Sequence, residues 1–560
     1  MLTLTTNFDK SQTLRTNHKI IKIILIISTA IFVLIDETST FPSKRTQSHI
    51  NGYNIVEFEE DTQVCEINLK HPTTDSKISK SDDFRDFVSN SKLWVDKSLL
   101  AEKIVTAADR VILITAPRKW GKSLNLNMLK CIFENSPTNV STEADFVHKF
   151  FTKQIVHYEN ITAGKVMCRP LISTRTDFMK KYFQKYPVVY LNFRNFTLDN
   201  WRSSFKISIS RVYKKHEYLH THWKSVASDQ NKPFDVRKNA KKITDKFSKY
   251  MRSKDDDDSS LQNSIAWLCQ NLYEVYDKKC FVFIDEFDAL QNETIFKNET
   301  GTEAIEFMKT FNSLIFKNPE KAGIERAVLT GILRSAKSTL LSDVPRYYDA
   351  NSINMKRFTP FYGFTPHEVE AIIRHEEPES FQEYFRYATK WYDGYGSLGL
   401  WDGSMFNAWD ITRHIETFTT HPFWVKTGSM EVLMKLLSFD FFEKIICAAL
   451  DSNQGYQISA SSLQNVDEST LEEIRGLLNA EYANMYQYEK NNGRDEQLQI
   501  AAIQFALQTG YLSVRSNLGS ESLKKINSGS MKVPIIVPNW VLRLVLRHTR
   551  DDTIRLRYIR

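Results

Sequence analysis

The stretch Ala116-Pro117-Arg118-Lys119-Trp120-Gly121-Lys122-Ser123 constrains the chain more than any other. An apolar run, Val111-Ile112-Leu113-Ile114, precedes it. Apolar residues at helical spacing follow it, at Leu124, Leu126, Met128, Leu129, Ile132 and Phe133. Buried strand, Gly-Lys-Ser turn and helix is the order that a phosphate-binding loop requires. The loop amides and the helix N-terminus would face phosphates. Arg118, Lys119, Trp120, Gly121, Lys122, Ser123 and Leu124 are therefore the expected nucleotide-binding residues. Lys122 would reach the β- and γ-phosphates of ATP, and the Ser123 hydroxyl would ligate Mg²⁺. Ala116 stands where the first glycine of the usual loop belongs. The plain alternative is a strand–turn–helix corner with a surface lysine.

A second segment supports the first. Cys280-Phe281-Val282-Phe283-Ile284 is continuously apolar, as a buried parallel strand should be, and it runs into Asp285-Glu286. Open α/β sheets bind ligands at the carboxyl ends of such strands. Asp285 is expected to hold Mg²⁺, and Glu286 to act as general base on the attacking water. The structural alternative is a pair of helix N-cap acids.

At 560 residues the chain is long enough for two or three domains with a large core. A hydrophobic content of 42% excludes wholesale disorder. The net charge of +7 permits contact with nucleic acid or anionic membrane without arguing for either. The densest basic stretch, Arg237–Lys254, runs directly into Asp255-Asp256-Asp257-Asp258 and is expected to be a solvated helix and loop. The six cysteines show no paired spacing and read as free thiols.

Ile23–Ile35 is a run of thirteen uncharged residues, with Arg15, Lys19 and Lys22 before it and Asp36 and Glu37 after it. It fits a signal-peptide core better than a membrane span, and its charge asymmetry sends the following chain across the membrane. Residues 19–35 are thus expected to direct the protein to the secretory pathway, secreted or membrane-anchored. A buried helix in a cytoplasmic protein is the alternative. Five Asn-x-Ser/Thr acceptor sites occur, at Asn139, Asn160, Asn195, Asn292 and Asn298.

The expected organisation is a leader or anchor at 1–35, a polar linker at 36–83 with some β character at Tyr53–Phe58, an α/β phosphate-loop domain at 84–345 and a mainly helical region at 346–560. Core strands are expected at Val111–Thr115, Val188–Phe193, Phe281–Ile284 and Arg326–Leu329, alternating with helices around a parallel sheet. Thr330 and Arg334 follow the last of these. Thr330 could sense a γ-phosphate and Arg334 neutralise it, a surface ion pair being the alternative for Arg334. Helices are expected at His367–His375, Phe381–Lys390, Ala408–Phe418, Ser429–Leu437, Phe441–Leu450, Glu468–Tyr482 and Ile500–Gln508. Tyr511–Val514 and Val533–Pro538 would form a two-stranded wing, compatible with a winged-helix-like unit. The wing carries few cations, Arg515, Lys524, Lys525 and Lys532, so packing is expected over nucleic-acid reading.

These pieces occur in the order of a known family. Phe84-Arg85-Asp86-Phe87, Trp94-Val95-Asp96-Lys97, Pro117–Ser123, Tyr186–Leu191, Phe283–Ala289, Leu329–Arg334, Tyr362–Thr365, Trp391–Tyr395 and Phe423–Ser429 together resemble the AAA-ATPase-like family over about residues 84–545. The family's loop does not require glycine at its first position, which accommodates Ala116. The resemblance implies a P-loop NTPase core using ATP and Mg²⁺. Many bacterial members add a PD-(D/E)xK-type nuclease domain, but no Asp…Glu-x-Lys array fits it here, so nuclease activity is not carried over. The expected function is ATP binding and hydrolysis by a nucleotide-dependent switch with a protein client, and a homo-oligomer is open. The alternatives are a nucleotide-binding interaction module and a secreted effector that no longer depends on nucleotide.

Overall fold

The computed structural model describes residues 67–69, 78–91, 93–135, 142–152, 155–160, 164–168, 170–297, 301–334, 340–351, 356–377, 379–396, 403–424, 435–450, 454–464, 468–479, 496–515, 532–539, 542–543 and 545–547. The proposed leader, Tyr53–Phe58 and most of Ser429–Leu437 lie outside them. Among the described residues no helix is long and apolar enough to cross a membrane.

Strands β1 (Ile67–Leu69) and β2 (Leu93–Val95) form an antiparallel pair, so the end of the expected linker is built into the fold. Strand β3 (Val111–Thr115) leads to the glycine-lysine-serine turn. The hairpin of β4 (Ile155–Asn160) and β5 (Gly164–Cys168) follows. Next come β6 (Val188–Asn192), β7 (Cys280–Asp285), β8 (Ile324–Gly331) and β9 (Tyr348–Asn351). With β3 these four make a five-stranded sheet in the order β6-β7-β8-β3-β9, all pairings parallel.

All four expected core strands are present. Strands β3 and β7 are buried at every position, because helices cover both faces of the sheet. On one face Phe133, from the helix Lys122–Phe133, stacks on Phe281 with ring centroids 4.1 Å apart. On the other, Phe205 meets Phe307 and Phe311 edge-to-face at 5.1 and 5.0 Å. The fifth strand, β9, escaped the sequence pattern because it is short and polar. It sits at the sheet edge, where its pairing with β3 holds it in place.

The basic stretch is the helix Phe234–Met251, which buries Ala240, Phe247 and Tyr250 and leaves its lysines outward or half-buried. The acidic run after it is engaged rather than free. Asp256 pairs with Lys206, Asp258 with Arg202, and Asp257 caps the next helix. Cys131, Cys269 and Cys280 are buried free thiols, as their apolar setting implies.

Beyond the sheet the chain is mainly helical, with helices at Pro366–Glu376, Phe381–Tyr392, Ala408–Thr417, Asp440–Leu450, Glu468–Asn479 and Glu496–Thr509. The first begins with a full capping box between Thr365 and Glu368. The expected two-stranded wing belongs to a three-stranded antiparallel sheet. Strands β10 (Tyr456–Ser459) and β11 (Ser513–Val514) flank β12 (Lys532–Ile536).

Candidate functional site

The phosphate-loop geometry follows from backbone conformation. Ala116 continues the β3 ladder, donating its N–H to the Gly331 carbonyl at 3.1 Å. The chain then reverses through two left-handed residues, Lys119 at φ +64° and Gly121 at φ +80°. A Cβ on Gly121 would meet only Asn125 Nδ2, at 4.0 Å, so its backbone angle rather than crowding favours glycine there. The helix starts at Lys122. The Lys122 ammonium folds back over the loop and donates to the carbonyls of Ala116 and Pro117, each at 2.7 Å. Burial holds its pKa below the ordinary lysine value, opposed by Glu286, Asp288 and Asp285.

Residues Arg118–Asn125 line, without a break, one cavity of about 840 Å³, and Glu286 lines it with them. Seven of the eight are the residues expected to bind nucleotide. Trp120 is also wedged against the helical region, edge-to-face with Tyr395 at 4.9 Å. It packs over Gly363, whose φ is +87° and where a Cβ would lie 2.7 Å from the Phe406 carbonyl oxygen and 3.0 Å from the indole.

Asp285 is 1% exposed at the end of β7. Its Oδ1 accepts from the Thr330 hydroxyl at 2.7 Å, and its Oδ2 from Asn192 Nδ2 at 3.1 Å. The ends of β6, β7 and β8 thus converge on one carboxylate. Glu286, the next residue, adopts a left-handed φ of +53°. For a non-glycine residue this conformation is uncommon and clusters at functional sites. Burial, with Asp288 and Asp285 nearby, raises the Glu286 pKa above the usual glutamate value, although Lys122 pulls it down.

Asp288, two residues after Glu286, has a structural role. Its Oδ2 accepts from the N–H groups of Ile332 and Leu333 at 2.9 and 2.7 Å, and from Asn292 Nδ2 at 3.1 Å. It joins the turn after β7 to the turn after β8.

Arg334 is not brought into the cavity. Its Nε donates to Asp349 at 2.7 Å and one terminal nitrogen to the Leu463 carbonyl at 3.2 Å, while its backbone N–H meets Gln508. It is buried, not the surface ion pair of the alternative reading, and its charge is already matched. The reason lies in Asp288, which turns the backbone at Ile332 and Leu333 so that Arg334 meets the helical region. Thr330 likewise spends its hydroxyl on Asp285 and lies outside the cavity lining.

Besides Lys80 and Lys97, two arginines that sequence reading did not assign to the site line the cavity, Arg194 after β6 and Arg413 on the helix Ala408–Thr417. A polar residue just past a core strand was the only available signal for Arg194. None existed for Arg413. Lys119 Nζ lies 4.5 Å from the centre of the Trp409 ring, and the Arg413 guanidinium 4.8 Å from the same ring. Phe84, Trp94, Met128, Phe361 and Phe364 are among the apolar residues of the lining. Among the described residues no His, Cys, Asp or Glu cluster forms a ready metal cage.

Residues 80–341 match the family model AAA-ATPase_like, described as predicted AAA-ATPase. No curated protein matches the chain. The matched span, a little under half of the chain, carries the glycine-lysine-serine loop, both acidic residues of the site and Arg194, and in it the chain is similar to the predicted AAA-ATPase family.

Proposed function

We propose that this protein binds Mg-ATP in the cavity above β3 and β7 and hydrolyses it, using the cycle as a conformational switch. The observation that carries this reading is the meeting of Arg118–Asn125 and Glu286 in one cavity, with Asp285 braced beside them. The donor set fits a triphosphate. Burial lowers the Lys119 pKa, and the neighbouring Arg194, Arg118 and Arg413 lower it further against the single opposing charge of Asp82. Such an excess of cations favours a bound polyanion. The aromatic part of the lining suits a planar base.

In this reading Lys122 exchanges its two carbonyl partners for phosphate oxygens. Ser123 and Asp285 would hold Mg²⁺, which neutralises phosphate charge. Two of the lone-pair positions on Asp285 are taken by Thr330 and Asn192, leaving capacity for a metal-bound water. Glu286 accepts a proton from the attacking water. Its raised pKa strengthens it as a base once ionised.

The helical region is the moving part of the proposed switch. The order of the helix Asp440–Leu450, β10, three described helical segments, β11 and β12, with β12 central, supports a winged-helix-like unit. That unit contacts the ATPase span through Arg334, whose guanidinium reaches Leu463 and whose N–H reaches Gln508.

Nucleotide titration and phosphate release test the proposal together. Lys122→Ala should weaken Mg-ATP binding by about 2 kcal/mol or more, since it removes a charge-assisted contact. Glu286→Gln should bind normally and lose about 10²–10⁴-fold in turnover. Equal affinity in wild type and Lys122→Ala would sink the binding claim. Wild-type turnover in Glu286→Gln would place the general base elsewhere or mark the measured activity as a contaminant.

A further inference from the structure

Arg194 is fixed to the acidic strand by its backbone. Its N–H donates to Asn192 Oδ1 at 2.9 Å, and Asn192 Nδ2 donates to Asp285 Oδ2 at 3.1 Å. The N–H of Phe193 donates to the Asp285 carbonyl at 3.0 Å. The root of the Arg194 side chain is therefore registered to the proposed metal-binding carboxylate. Its side chain lines the same cavity as Lys122, Ser123 and Glu286.

At rest the guanidinium has a partner. It pairs with Asp82 at 2.7 Å, and each side chain is 52% exposed. Asp82 belongs to the segment 78–83, which runs along the cavity before the helix Phe84–Asn90. The start of that segment is held separately, by the Ile78 N–H on Glu416 at 3.1 Å. An exposed pair of this kind contributes little, because solvent screens it. A guanidinium–phosphate contact is stronger and often bidentate. A triphosphate entering the cavity would therefore outcompete Asp82 for Arg194. Arg334 offers no such exchange, because Asp349 and Leu463 hold its guanidinium in a buried setting.

We propose that Arg194 contacts the terminal phosphate of the bound nucleoside triphosphate, and that Asp82 is the resting partner which that phosphate displaces. This rests on the nucleotide reading of the cavity. It assigns Arg194 the charge-neutralising task that the sequence suggested for Arg334. It also makes the segment carrying Asp82 responsive to the number of phosphates bound.

The test is calorimetric titration of the full-length protein with Mg-ATP and Mg-ADP. Arg194→Ala should weaken ATP by about 10-fold or more while leaving ADP within about 3-fold. Arg194→Lys should recover part of the loss, retaining the charge without the fork. Asp82→Asn frees Arg194 and should strengthen ATP a few-fold with ADP unchanged. Opposite signs for Arg194→Ala and Asp82→Asn support the exchange, because a purely structural pair would weaken both nucleotides in both variants. Equal losses for ATP and ADP in the two variants overturn the assignment while the nucleotide reading stands. If wild type binds neither nucleotide, both fall. Melting temperatures without nucleotide establish that each variant is folded.

Discussion

The indole N–H of Trp424 donates to the main-chain carbonyl of Arg118 at 2.9 Å, joining the helical region to the middle of the phosphate loop. Trp424 is itself held by Asp410, whose Oδ1 accepts its backbone N–H at 2.7 Å. Its ring packs on Tyr511, with centroids 5.7 Å apart. A loop that rearranges around phosphates would pull on this contact directly.

Trp424→Phe keeps the ring and removes the donor. Losing one partner of a buried hydrogen bond costs about 1–3 kcal/mol. Mg-ATP should still bind within a few-fold of wild type, but nucleotide-dependent protection of residues beyond 345 should fall. Limited proteolysis with and without Mg-ATP reads this out, and unchanged protection in the variant means that the switch runs by another route.

Glu286 must be ionised to accept a proton, and its pKa lies above the ordinary glutamate value. Turnover should therefore fall as pH drops through that raised pKa. In Glu286→Gln the residual rate should lack this acidic limb. Parallel pH–rate profiles for the two proteins would remove Glu286 from the base role.

Gly331→Ala should disturb the acidic turn beside the phosphate loop. A Cβ at 331 would lie 2.6 Å from Asp288 Oδ1 and 2.9 Å from its Cγ. Asp288 would have to retreat from the N–H groups of Ile332 and Leu333. A destabilisation of about 1–3 kcal/mol is expected, visible as a lower Tm. An unchanged Tm would show that Asp288 moves without cost.

Asp410 is 2% exposed, and burial pushes its carboxyl up to about 8 from an ordinary 3.8. Its folded pKa exceeds its unfolded value, so the folded protein holds the extra proton across that interval. The contribution of Asp410 to stability is full below the unfolded value and declines as pH rises toward the folded one. The slope is up to about 1.4 kcal/mol per pH unit. Asp410→Asn keeps an acceptor for Trp424 and carries no charge. Wild type and variant should be closest in stability near pH 4 and diverge in favour of the variant by pH 8, as denaturant melts across the range would show. Identical pH slopes would contradict a neutral buried Asp410.

Secretory targeting by residues 19–35 remains a proposal with its own readout. If the ATPase span enters the lumen, Asn139 or Asn160 should carry glycosidase-sensitive mass. Asn292 should not, because it lies in the helix Ala289–Lys297, lines the cavity and donates to Asp288. A full-length cytosolic protein without glycans would reject the targeting and leave the ATPase reading intact.

The sequence by itself determined the parts whose signal is local. A continuous apolar run ending in Gly-Lys-Ser, and another ending in Asp-Glu, can be read because each strand is buried on both faces and each turn needs particular residues. The alternation of strands and helices likewise implied a parallel sheet. Tertiary structure alone decided the order β6-β7-β8-β3-β9, since partner choice depends on packing between segments far apart in the chain. It also recruited β9 and β10, which are too short and polar to announce themselves and become strands through their neighbours. It exchanged Arg334 for Arg194 and Arg413 at the cavity. Where an arginine's charge ends up depends on which carboxylates the fold brings within reach, and Asp349 and Asp82 reach Arg334 and Arg194 only once the chain is folded.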